Sequence, residues 1–178
     1  KSIKDKEICV TGAGGSIGSE LCRQIIKRSP KKLILIELNE LNLYNIETEL
    51  NDLNTSNIQI RSCLGDARDN FYISKIMGEE KIDIIFNASA FKHVPMVELN
   101  PIQGIINNVI STWNICQAAL ENNISKVILV STDKAVRPTN VMGASKRLSE
   151  LIVQAYANSV SNKNEKGEKN TYFCMVRF

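Results

Sequence analysis

The chain has 178 residues, 43% hydrophobic and 23% charged, with 22 Lys+Arg against 19 Asp+Glu. That length and composition suit one folded domain with its own core, and exclude a disordered or low-complexity chain. A net charge of +3 with 6% aromatic residues argues against a nucleic-acid partner, and the short apolar runs argue against a membrane span.

In chain order, Ile8-Cys9-Val10 reads as a first buried strand, and Ile17, Leu21 and Ile25 as one side of the helix that follows. Leu33 to Ile36 reads as a second strand. Leu43, Ile46, Leu50 and Leu53 then line a helix face. Ile58 to Cys63 and Ile82 to Phe86 are the third and fourth expected strands. Pro101 opens what reads as the longest helix, Ile102 to Leu120, since proline suits a first helical turn. Val127 to Val130 is a fifth strand, and Leu148, Leu151, Ile152 and Ala155 line one face of the next helix. Ser159 to Asn170 reads as an exposed loop before a last strand, Tyr172 to Val176. The chain stops at Phe178, inside or just after that strand, which reads as a fragment. Five strand–helix alternations predict an α/β, Rossmann-like fold across 1–178: a doubly wound parallel sheet with helices on both faces.

Cys9, Cys22, Cys63, Cys116 and Cys174 lie inside expected elements with no CxxC spacing. They read as buried reduced thiols of a cytoplasmic protein. One histidine, His93, cannot build a zinc site, so no metal is expected.

Gly12, Gly15 and Gly18, in Thr11-Gly12-Ala13-Gly14-Gly15-Ser16-Ile17-Gly18, follow a strand and open a helix. That spacing makes a tight turn, admits a pyrophosphate against bare backbone and packs the helix on the strand. Ser16 and Ile17 are the first side chains of that helix. Glu37 falls 19 residues beyond Gly18, at the end of the second strand, where a carboxylate accepts from ribose hydroxyls. A 2′-phosphate beside that carboxylate is repelled, so between NAD and NADP the sequence favours NAD. Asp66, after the third strand and followed by Ala67, bonds the adenine edge or caps a helix.

After the fifth strand come Ser131-Thr132-Asp133-Lys134 and then Met142-Gly143-Ala144-Ser145-Lys146-Arg147. Strand C-termini of a doubly wound sheet face the ligand crevice, where an adjacent acid and amine can exchange protons with a substrate. Asp133 and Lys134 sit side by side, so the chain must leave strand geometry near Thr132 for both to converge.

With Asn87-Ala88-Ser89-Ala90-Phe91-Lys92-His93-Val94-Pro95 and Asn107-Asn108-Val109, these blocks resemble the extended short-chain dehydrogenase/reductases. Within them the chain is most similar to the nucleotide-sugar 4,6-dehydratases of bacterial polysaccharide biosynthesis. The resemblance implies a UDP-linked N-acetylhexosamine as substrate, taken to a 4-keto-6-deoxy sugar, with NAD(P) regenerated in each turnover. It implies Lys134 as base at C5, Asp133 as acid for the C6 hydroxyl and Thr132 on the C4 oxygen. It also implies Lys146 on the nicotinamide ribose. Ala88, Ala90 and Ser131 belong to the cofactor side by the same resemblance. Asn108 corresponds to a helix-interrupting residue that helps position the lysine. Lys92 lies near the cofactor or is a surface lysine, and His93 is structural.

Met142 stands where most of the superfamily has Tyr. It fits a subgroup that shares the Met at this catalytic position, although a thioether has no exchangeable proton; the alternative is a gap-filler against the cofactor or core. The resemblance further implies a small substrate domain beyond Phe178. Relatives carry N-terminal membrane helices, which would set the parent on the cytoplasmic face of the inner membrane. Helices 102–120 and 143–157 resemble a shared dimer bundle, implying a dimer or larger assembly. The chain alone is then expected to bind dinucleotide but turn over little sugar. Two rival readings are an enzyme that inverts C5 or C4, and a non-catalytic dinucleotide sensor.

Overall fold

The computed structural model describes residues 3–161 and 170–178. Among them, six parallel strands form one sheet in the order β3-β2-β1-β4-β5-β6. These are β1 (Glu7–Thr11), β2 (Lys32–Glu37), β3 (Gln59–Leu64), β4 (Ile84–Asn87), β5 (Lys126–Ser131) and β6 (Tyr172–Arg177). Every strand expected from sequence is present, its ends moved by at most two residues.

The helices are α1 (Ser16–Ile26), α2 (Glu40–Leu53), α3 (Asn70–Glu79), α4 (Val94–Leu99), α5 (Pro101–Ile105), α6 (Ser111–Glu121) and α7 (Val141–Ser161). Strand side chains alternate between two cores. Ile8, Val10, Leu33 and Leu35 pack with Cys22, Ile25, Ile46 and Leu50 under α1 and α2. Cys9, Ile34, Ile36, Ile85 and Leu129 pack with Ile73, Ile115, Ala118 and Val153 under α3, α6 and α7. Apolar side chains on both faces are what a parallel sheet covered on both sides requires. Because strand order reverses between β1 and β4, the crevice opens above their C-terminal ends.

Three expectations need correction. The longest helix is α7, not 102–120, which is divided into α5, a π-turn at Ile106–Ile110 and α6. One extra residue in the turn turns Asn108 inward, where its side chain bonds both backbone atoms of Phe91 and the Ser145 hydroxyl. Second, Leu148 and Leu151 face solvent at 45% and 44% exposure. The inner side of α7 is instead Met142, Gly143, Ser145, Lys146, Ser149, Glu150 and Val153. Leu53 is likewise exposed, whereas Leu43, Ile46 and Leu50 are buried. Third, Ser159–Ser161 belong to α7, and residues 162–169 of the expected loop lie outside the described residues.

Four of the five cysteines are buried and Cys174 is half-buried. Trp113 meets Tyr156 edge-on at 5.9 Å, packing one helix against the next. No helix among the described residues is long and apolar enough to cross a membrane.

Candidate functional site

The glycine turn is built by close approach. Gly12 has φ +66°, and a Cβ there would lie 2.7 Å from the Ser89 Cα. A Cβ on Gly18 would lie 1.9 Å from the Gly12 carbonyl oxygen, so α1 can seat on the turn only with glycine at that position. Gly15, Ser16 and Ile17 remain exposed at the mouth of the crevice. The first N–H groups of α1 lack intrahelical acceptors, and no side chain caps them at Gly15. That is a cradle suited to a pyrophosphate. Ile17, a cofactor-side candidate at the start of α1, is 40% exposed and lines the cavity.

Glu37 ties the end of β2 to this turn. Its carboxylate accepts from the Gly14 N–H at 3.0 Å and from those of Leu38 and Asn39 at 2.9 and 3.0 Å. Beside it a cavity of about 400 Å³ runs past Gly12, Gly15, Asp66, Ala67, Ala88 and Ala90. Asp66 is in that wall, and it does not cap α3; Asp69 does, accepting from the Tyr72 N–H at 3.0 Å. Both Asp66 oxygens already accept from the Arg68 guanidinium, which holds the carboxyl below the usual carboxylate range.

A second cavity of about 300 Å³ shares Gly15, Ala88, Ala90 and Phe91 with the first. Its far wall holds Ser131, Thr132, Lys134, Met142 and Lys146, and its near wall Ser16, Ile17, Gly18 and Lys92. The glycine turn and the end of β5 therefore face one groove. The Asn108 side chain bonds Phe91, which lines that groove, and Ser145, the residue before Lys146, rather than hydrogen-bonding Lys146 itself.

At the end of β5 the chain leaves strand geometry for a 3-10 turn at Asp133–Ala135. Thr132 starts it: its hydroxyl donates to Asp133 Oδ1 at 3.0 Å and accepts from the Lys134 N–H at 3.4 Å. Asp133 and Lys134 form an ion pair at 3.5 Å, both exposed. The Thr132 hydroxyl and the neighbouring ammonium hold the Asp133 carboxyl below the ordinary value, the opposite of what an acid catalyst needs.

Lys146 is buried at 5% exposure and donates to the Val130 carbonyl at 2.8 Å. Burial pushes its ammonium down to about 8, against the opposing field of Glu150. Met142, 3% exposed, fills the wall one helical turn away. Among the described residues, no group of three His, Cys, Asp or Glu side chains could hold a metal ion.

Sequence reasoning missed Glu150. Fully buried on α7, it accepts from Ser131 Oγ at 2.8 Å, Arg147 at 2.9 Å and Arg177 twice at 2.7 Å. These donors hold its carboxyl down at about 2. The available signal was its place four residues after Lys146, on the same helix face.

The family described as polysaccharide biosynthesis protein matches residues 8–178. The capsular polysaccharide biosynthesis protein CapD of Staphylococcus aureus is 42% identical over 178 residues, all of this chain and 28% of CapD. A UDP-N-acetylglucosamine 4,6-dehydratase (inverting) of Campylobacter jejuni is 34% identical over 97% of the chain and 48% of its own length. The X-ray structure of Pen from Bacillus thuringiensis superposes with a TM-score of 0.87 at 30% identity, covering 99% of this chain and 51% of that one. The chain thus spans about half or less of the length of these relatives. Matched along nearly its whole length, it belongs to the polysaccharide biosynthesis protein family, within the short-chain dehydrogenase/reductase superfamily whose motifs it carries.

Proposed function

We propose that this chain is the dinucleotide-binding and catalytic part of a nucleotide-sugar 4,6-dehydratase acting on a UDP-linked N-acetylhexosamine. One observation carries the reading: a single groove joins the glycine turn to Thr132, Lys134 and Lys146. The residues fit NAD, with a bare backbone cradle at Gly15 and a carboxylate at Glu37 that repels a 2′-phosphate. Bound there, NAD supplies the hydride acceptor and donor.

The chain's own residues handle protons. Thr132 orients the C4 hydroxyl, whose proton passes to a water in the groove as the hydride leaves C4, and the Lys146 ammonium stabilises negative charge developing on that oxygen. Asp133 and Lys134 are a charged pair in water, which suits neither catalytic role. A sugar covering the pair removes that water and disfavours both charges, so the proton passes from Lys134 Nζ to Asp133. The neutral amine of Lys134 then accepts the C5 proton. Asp133 returns its proton to the C6 hydroxyl, which leaves as water, and Lys134 gives its proton back to C5 as the hydride returns to C6. Met142 fills the space beside these groups and carries no proton.

Buried, unbridged cysteines suit a cytoplasmic setting. The exposed apolar residues Trp113, Leu148 and Leu151 suit contact with a second copy.

Incubating the full-length protein with NAD and UDP-N-acetylglucosamine tests the reading. The expected product is the 4-keto-6-deoxy sugar, detected as loss of one water by mass spectrometry. NAD binding without product would favour a sensor. A C4-inverted sugar would favour an epimerase, and inversion at C5 an epimerising dehydratase.

A further inference from the structure

Two residues of α7, Lys146 and Glu150, grip two successive residues of β5, Val130 and Ser131, immediately before the turn of Thr132 to Lys134. Glu150 also takes both arms of Arg177 on β6. Beyond Arg177, the Phe178 carbonyl accepts from the Asp133 N–H at 3.0 Å, so β6 holds the same turn from its other side. A carboxylate with no exposed surface and four donors is costly to bury and costly to leave unpaired. Arg147 and Arg177 are 38% and 41% exposed, so they bring their charge in from the surface to meet it.

We infer that Glu150 is a positioning residue: its carboxylate clamps the end of β5 to β6 and thereby sets the orientation of Thr132, Asp133 and Lys134. The inference rests on the dehydratase reading for the purpose of that turn, though the clamp itself stands on geometry. A second consequence concerns Lys146. The charged groups around it are Glu150 and Arg147 on α7, Lys92 after β4, Asp133 and Lys134 after β5, and Arg177 on β6. Of these, Glu150 is the one that raises the proton affinity of Lys146 against burial. Removing its charge leaves two arginines without a counterion next to a buried ammonium, and Lys146 then loses its proton at lower pH.

The test compares Glu150→Gln and Glu150→Asp with the wild-type chain. Amide hydrogen exchange, read without ligand, is expected to quicken about tenfold or more at residues 130–135 in Glu150→Gln, while β1 and α1 are unchanged. NADH affinity, read by fluorescence across pH, is expected to lose its alkaline limb about one pH unit earlier in that variant. Glu150→Asp keeps the charge, so its limb stays with wild type. If Glu150→Gln does not fold, Ser131→Ala removes one bond and keeps the charge, and must quicken exchange at 132–134. Unaltered exchange at this turn overturns the inference, as does exchange that quickens everywhere alike with an unmoved limb. Failure of the dehydratase reading is separate: wild type then makes no sugar product, while the exchange result stands.

Discussion

The ammonium of Lys92 donates to the hydroxyl of Ser16 at 3.0 Å, so the loop after β4 closes over the glycine turn from the far side of the strand-order reversal. That contact puts an exposed positive charge at the N-terminus of α1, where diphosphate oxygens would lie. Lys92→Ala is expected to weaken NADH binding about threefold to tenfold, the value of one partly exposed charged hydrogen bond. The loss should shrink as salt is raised from 0.05 to about 0.5 M, because exposed charges are screened. Fluorescence titration of both proteins at two salt concentrations checks it.

Gly18 seats α1 on the turn at Gly12. Gly18→Ala would drive a methyl against the Gly12 carbonyl oxygen, with backbone on both sides and no flexible side chain to yield. The expected cost is about 1–3 kcal/mol of stability, read from urea unfolding, together with loss of NADH binding. Gly78→Ala is the control, since its Cβ would meet only the end of the Asn122 side chain at 3.3 Å.

Lys146 predicts an unusual pH dependence. Its ammonium is held at about 8 in the folded chain against an ordinary 10.5. Between those values the unfolded chain binds the extra proton, so this residue's contribution makes the fold more stable as pH rises. Below pH 8 the buried charge costs roughly 3 kcal/mol, and the bond to Val130 returns about 1 kcal/mol. Lys146→Met should therefore melt higher than wild type at pH 7, with the advantage fading toward pH 10. The same variant should bind NADH less tightly, because the ribose contact is gone. Thermal melts at the two pH values, with an NADH titration, decide both halves.

Asp133 and Lys134 are assigned to the sugar and not to the dinucleotide. Asp133→Asn and Lys134→Met should each lower turnover of the full-length protein by about 10²–10⁴, with NADH affinity within about twofold of wild type. Neither side chain is buried, so neither variant should alter the melting temperature by more than a few degrees. Parallel loss of turnover and NADH binding would contradict the assignment.

The sheet was legible in the sequence because its signals are local. Ile8 to Val10, Leu33 to Ile36 and Val127 to Val130 are continuous apolar runs bounded by turn residues, and the glycine spacing names the first crossover. The place of Glu37 beside the glycine turn was legible by distance along the chain alone. The α7 face was not. A helical apolar stripe shows that one face is apolar, but Leu148 and Leu151 belong to the outer one, while polar Ser145, Ser149 and Glu150 face the sheet. An acid on a helix ordinarily reads as solvated, and only the fold brings Arg177 to Glu150 from 27 residues away. The π-turn at Asn108 was visible only through the family resemblance, which marks that residue as helix-interrupting, because one extra residue in a continuous helix leaves the apolar period nearly intact.

The crystal structure of the chain with NAD tests the central claim most directly. The account predicts the adenosine ribose on Glu37, the diphosphate over Gly15 and Ser16, and the nicotinamide ribose within roughly 3 Å of Lys146 Nζ. The nicotinamide ring then faces Thr132 and Lys134. A dinucleotide bound with its nicotinamide turned away from the end of β5, or bound outside the groove, would contradict it.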